Sequence, residues 1–138
     1  VGVGLAYGLD GHVDGVLSGN TIMVRNAANV SQPVRLFGVA APVAGTLFSV
    51  SRDRLASQIL GNSVYVHTMG FDLDGMTVAK VFYGADYLNQ SQIFEGMAWY
   101  NADHGLAPDL AEAEMAAQEA GRGVWGDPDL VSQWAYAP

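Results

Sequence analysis

The sequence predicts an α+β domain that is mainly β, a small barrel carrying two or three helices. Three observations predict it. Short apolar runs read in the order strands, helix, strands, helices, which suits a closed sheet flanked by helices. Gly- and Asn-containing turns separate the runs, at Ser18-Gly19-Asn20 and at Asp74-Gly75. The chain has 138 residues, of which 50% are apolar, enough to build one core and too few to build two comfortably. One domain over residues 1–138 follows, with 1–10 as an N-terminal extension and 126–138 as an aromatic tail.

His12 to Leu17 and Thr21 to Arg25 form the first hairpin, with Gly19 and Asn20 suited to positive φ in its turn. Val34 to Val39 reads as a third strand, with Val34 and Leu36 on one face, closed by Pro42 and Gly45. Phe48 to Leu60 places Val50, Leu55, Ile59 and Leu60 near helical spacing, and Gly61-Asn62 supplies a stop. Ser63 to Thr68 and Met76 to Tyr83 form a second hairpin, whose Asp74-Gly75 suits a type I′ turn. Asn89 to Glu95 is a short helix ended by Gly96, and Met97 to Tyr100 is extended. Pro108 to Ala120 is the clearest helix: Pro suits its first turn, acids sit near its positive end, and Gly121 follows.

Six Lys and Arg against fourteen Asp and Glu give a net charge of −8, a field that repels polyanions on average. Only Arg52 and Arg54 sit close together, so phosphate-backbone affinity is short of cations. The absence of cysteine excludes disulfides, thiolate metal sites and a Cys nucleophile. No apolar run approaches the roughly 20 residues that span a bilayer. His12, His67 and His104 lack metal-ligand spacing and read as surface or satisfied histidines. Asp72-Leu73-Asp74-Gly75 has the start of a calcium loop but neither its length nor its terminal Glu, so it reads as a solvated turn. The acids Asp109, Glu112, Glu114 and Glu119 read as a solvated helix face.

Several motifs, in order, carry a resemblance. Ser18-Gly19-Asn20-Thr21 stands where a family pattern has Asp-Gly-Asp-Thr. Val34-Arg35-Leu36, Gly38 and Pro42 stand where it has an Arg-Leu strand ending in Asp-x-Pro-Glu. Glu95-Gly96-Met97-Ala98-Trp99-Tyr100, Ala113-Glu114 and Gly121-Arg122-Gly123-Val124-Trp125 follow. From about Val13 to Trp134 the chain resembles the staphylococcal-nuclease-like (thermonuclease) family. That resemblance implies a five-stranded OB-type barrel with three helices and, for active members, calcium-dependent phosphodiester hydrolysis. It also implies that Trp99 and Trp125 pack in the core.

Carried over position by position, the resemblance places the first metal carboxylate on Asn20, the second on Ala40, a backbone metal contact on Ala41 and the general base on Val43. One phosphate-binding arginine is retained as Arg35, and the other falls on Met76. Loss of one base or electrostatic stabiliser commonly costs ~10²-fold to 10⁴-fold in rate. The sequence therefore favours no enzyme, no cofactor and no metal, but a pseudo-nuclease serving as a protein-interaction or structural module. An OB-type nucleic-acid-binding module without cleavage is the alternative, and a divalent-metal nuclease with a relocated site, drawing on Asp14, Asp72 or Asp74, comes third. Arg35 is either a remnant anion binder or a structural group under the barrel, in an ion pair or donating to a backbone carbonyl. Trp134 and Tyr136 are candidate interface aromatics. A protein partner is favoured over nucleic acid, and an exported or periplasmic setting is favoured by the family's many secreted members.

Overall fold

Alternating burial along the first two strands sets up the barrel: Val13, Ile22 and Val24 point inward while Asp14 and Met23 do not. The computed structural model describes residues 8–129. In it β1 (Gly8–Ser18) pairs antiparallel with β2 (Thr21–Arg25), and β2 pairs with β3 (Ser31–Leu36). β4 (Val39–Ala40) leaves this sheet, while β5 (Ser63–Phe71) joins β1 and β6 (Thr77–Tyr83) joins β5. A parallel pairing of β3 with β6 closes the order β3-β2-β1-β5-β6 into a five-stranded barrel. β7 (Asp86–Tyr87) extends β6, and β8 (Trp99–Tyr100) pairs with β4. The expected OB-like α+β architecture is the one found.

Three helices cover the barrel: α1 (Gly45–Ile59), α2 (Leu88–Phe94) and α3 (Pro108–Ala120). α1 buries Ser51, Leu55 and Ile59, a stripe at intervals of four residues, whereas Val50 and Leu60 face solvent. Leu88 and Ile93 of α2 and Leu110 of α3 complete the core with the inward valines of the strands. Trp99 and Trp125 pack against its margin. Two buried amides fasten α2 in place. Asn89 accepts from Val81 N at 3.0 Å and donates to Phe37 O at 2.9 Å and Ala79 O at 3.1 Å; Gln92 donates to Gly19 O at 2.9 Å.

Three local expectations are corrected. The strand expected over Val34 to Val39 breaks at Gly38, whose φ of +74° turns the chain, so that Val39 and Ala40 pair elsewhere. Its start moves back to Ser31, and Pro33 is accommodated because that part of β3 has β2 alone as a neighbour. Gly19 and Asn20 do not have positive φ. Glycine is needed at 19 for space, since a Cβ there would lie 1.7 Å from Ser51 Oγ of the overlying helix. The second hairpin does not use a type I′ turn: only Gly75 has positive φ, and Gly75 N bonds Asp72 O at 3.0 Å. Asp72 Oδ1 takes the N–H groups of Asp74 and Met76, which holds a longer loop than two residues.

Candidate active site

The β1–β2 turn, the β3–β4 break and the loop after β8 meet around a cavity of about 370 Å³. Asn20, Arg35, Ala40, Val43, Asn101 and His104 line it. The sequence-derived positions are thus brought together, except Met76, which is not among the lining residues.

Arg35 reaches the cavity because β3 alternates: Val34 and Leu36 enter the core, and Arg35 between them remains about one-third exposed. Its Nη1 donates to Asp72 Oδ2 at 2.7 Å. Asp72 lies in the β5–β6 hairpin, and its side chain is only 14% exposed, so the reading of that turn as merely solvated is corrected. The carboxylate holds Arg35 with one oxygen and two backbone N–H groups with the other. Of the two readings open for Arg35, the ion pair exists; it leaves Nε and Nη2 without a hydrogen bond among the described residues.

Asn20 is held as firmly. Its Oδ1 accepts from Ser18 Oγ at 2.7 Å and Thr21 Oγ1 at 3.0 Å, and its Nδ2 donates to Val39 O at 3.0 Å. The amide ties the hairpin turn to β4. Calcium takes six to eight oxygen ligands, anionic ones above all. Here the amide oxygen already accepts two donors, Ala40, Ala41 and Val43 offer only alkyl side chains, and both Asp72 oxygens are engaged. No group of three or more His, Cys, Asp or Glu side chains suited to a metal occurs among the described residues. These residues do not fit a hard cation at this place, including one relocated to Asp14, Asp72 and Asp74. Asp14 is engaged elsewhere, with Arg25 at 3.2 Å and with Ser31, whose hydroxyl depresses its pKa most.

His104 is the site residue that sequence reasoning passed over. Its Nδ1 accepts from Gly38 N at 2.9 Å, and its ring stacks on Phe37 with centroids 6.0 Å apart and planes at 27°. Burial is the main cause that lowers its pKa, with Arg35 adding to it against the opposing pull of Asp72 and Asp103. Glu114 also departs from the solvated-face reading, because its Oε2 accepts from Tyr100 N at 2.8 Å and fixes β8 to α3. Trp134 and Tyr136 lie outside the described residues.

A family model described as staphylococcal nuclease homologue matches residues 33–127. An uncharacterized endonuclease of Haemophilus influenzae is 29% identical over 122 residues, covering 86% of this chain and 68% of that protein. An uncharacterized endonuclease of Escherichia coli is 29% identical over 135 residues, covering 96% of this chain and 87% of its own length. The probable staphylococcal-like nuclease CAN4 of Oryza sativa subsp. japonica is 27% identical over 104 residues, or 75% of this chain, which spans only 21% of the rice protein. These names overturn the expectation of a non-catalytic module that is not an enzyme. That expectation rests on Asn20, Ala40, Ala41, Val43 and Met76; the relatives point instead to a nuclease.

Proposed function

Because the chain belongs to the staphylococcal nuclease family, we propose that it is itself a nuclease, which cleaves the phosphodiester backbone of nucleic acid in the cavity beside Arg35. The arrangement of Arg35 supports this reading most. Negative charge grows on the phosphoryl oxygens during phosphodiester cleavage, and a fixed guanidinium beside them stabilises that charge more than a mobile one. Asp72 supplies the fixing through the 2.7 Å pair. The unbonded edge of the guanidinium fork suits a phosphate, which it can meet with two parallel N–H bonds.

Nucleic acid then replaces protein as the partner class in this reading. A net charge of −8 limits the grip to the few phosphates nearest the cavity. No helix among the described residues is long and apolar enough to cross a membrane.

The test is incubation of the purified chain with end-labelled single- and double-stranded DNA and RNA, with added calcium, magnesium or manganese and with EDTA, followed by denaturing gels. Shortened fragments from at least one substrate are expected. Intact substrate under every condition would contradict the reading.

A further inference from the structure

We propose that His104 is a second phosphate-binding residue of this cavity, its Nε2–H donating to one non-bridging oxygen while Arg35 engages another. The inference rests on the nuclease reading and adds a group that neither the sequence motifs nor the family pattern assigns.

Gly38 holds the His104 ring in place. Positive φ at this residue turns both of its backbone polar groups away from the sheet and toward the loop after β8. Asn101 N donates to Gly38 O at 2.8 Å, and Gly38 N donates to His104 Nδ1 at 2.9 Å. A backbone N–H can only donate, so the bonded Nδ1 carries no proton. The neutral ring must then carry its proton on Nε2. The tautomer is therefore set by the main chain, and the stack on Phe37 sets the plane of the ring.

The loop itself is short and pinned. Asn101 Oδ1 accepts from Asp103 N at 3.0 Å and caps the 3-10 turn Ala102–His104. Tyr100 Oη donates to Gly105 O at 3.0 Å and accepts from Ala107 N at 2.9 Å, closing the loop from its other side. His104 lines the same cavity as Arg35, and the bond at Nδ1 and the stack on Phe37 hold its ring in place. The charged groups acting on it are Arg35, Asp72 and Asp103; burial and Arg35 favour the uncharged ring, and they outweigh the two carboxylates, which favour the charged one. An uncharged donor beside an arginine adds a hydrogen bond to an anion without repelling the cation that shares it. It also needs no general-base role: with Nδ1 bonded to Gly38 and Nε2 protonated, neither nitrogen is free to accept a proton.

Two measurements on the intact chain test this. Long-range ¹H–¹⁵N spectra of the histidine side chains should show His104 protonated on Nε2 and unprotonated on Nδ1, and inorganic phosphate should shift the Nε2 signal. His104→Phe keeps a ring on Phe37 but removes the donor, and should weaken phosphate binding about tenfold, the ordinary effect of losing a hydrogen bond to a charged group. His104→Gln retains an acceptor for Gly38 N and a donor for phosphate, and should restore most of the affinity.

Phosphate that leaves the Nε2 signal of the wild-type chain unmoved would overturn the proposal without any variant. So would a folded His104→Phe variant that binds phosphate as the wild type does while Arg35→Ala does not, and in that case the nuclease reading survives. A wild-type chain that neither binds phosphate nor cleaves any nucleic acid overturns both.

Discussion

Asp72 determines what Arg35 can do, because an arginine on an open strand would otherwise sample many rotamers. With Nη1 held at 2.7 Å, its remaining donors stay at the cavity wall. Asp72→Asn removes the charge of the pair but keeps the loop's acceptor oxygen. Cleavage is expected to fall about tenfold in kcat/KM, the scale of a lost hydrogen bond to a charged group, with little change in thermal stability. At His104 the sign of the pH effect follows from its lowered pKa. The unfolded chain takes up a proton near pH 6.5, while the folded chain resists until lower pH. Stability attributable to this residue is therefore complete above pH 6.5 and declines as the pH falls through its folded pKa. Thermal melts should fall less steeply between pH 7 and pH 5 in His104→Gln than in the wild type. Arg35 and Asn20 were legible because each sits in a short motif. His104 was not, since its partner Gly38 is 66 residues away and nothing local marks the bond. The one available signal was Gly38 itself, a glycine where a strand was expected to continue.

Among the elements, α1 shows how packing replaces local rules. Its stripe of Ser51, Leu55 and Ile59 includes a serine that hydrophobic spacing alone skips. Ser51 belongs there because its Oγ donates to Met97 O at 2.7 Å and because the turn at Gly19 presses against it. Gly19→Ala should therefore destabilise the chain by ~1–3 kcal/mol, the usual cost of overpacking, measured by denaturant melts. An unchanged midpoint would show that the turn can shift away from the helix. At β8, Glu114→Ala leaves Tyr100 N without its acceptor and should cost ~1–3 kcal/mol, more than a change on a solvated helix face. Strand and helix identities were readable from apolar spacing and turn residues. Their ends were not, because the break at Gly38 and the start of β3 depend on which neighbour is available at each position.

At the scale of the molecule, barrel closure through the parallel β3–β6 pairing brings Arg35 on β3 beside the hairpin that carries Asp72. That closure was not spelled out by either strand, since parallel neighbours distant in sequence leave no turn signal. The overall charge of −8 was legible, and it constrains how a nucleic acid is held. Each phosphate neutralised on a single strand contributes a slope of about −0.7 to the dependence of log affinity on log salt. With Arg35 as the sole cation lining the cavity among the described residues, a slope near −1 or shallower is expected in anisotropy titrations. A slope steeper than about −3 would place the binding on a different, more basic surface. The most direct test is kcat/KM for nucleic-acid cleavage by the wild type, Arg35→Ala and Arg25→Ala, the last altering an arginine paired with Asp14 away from the cavity. A loss of about 10²-fold or more is expected for Arg35→Ala, with near-wild-type cleavage for Arg25→Ala; equal rates in all three, or no cleavage by the wild type, would contradict a nuclease centred on Arg35.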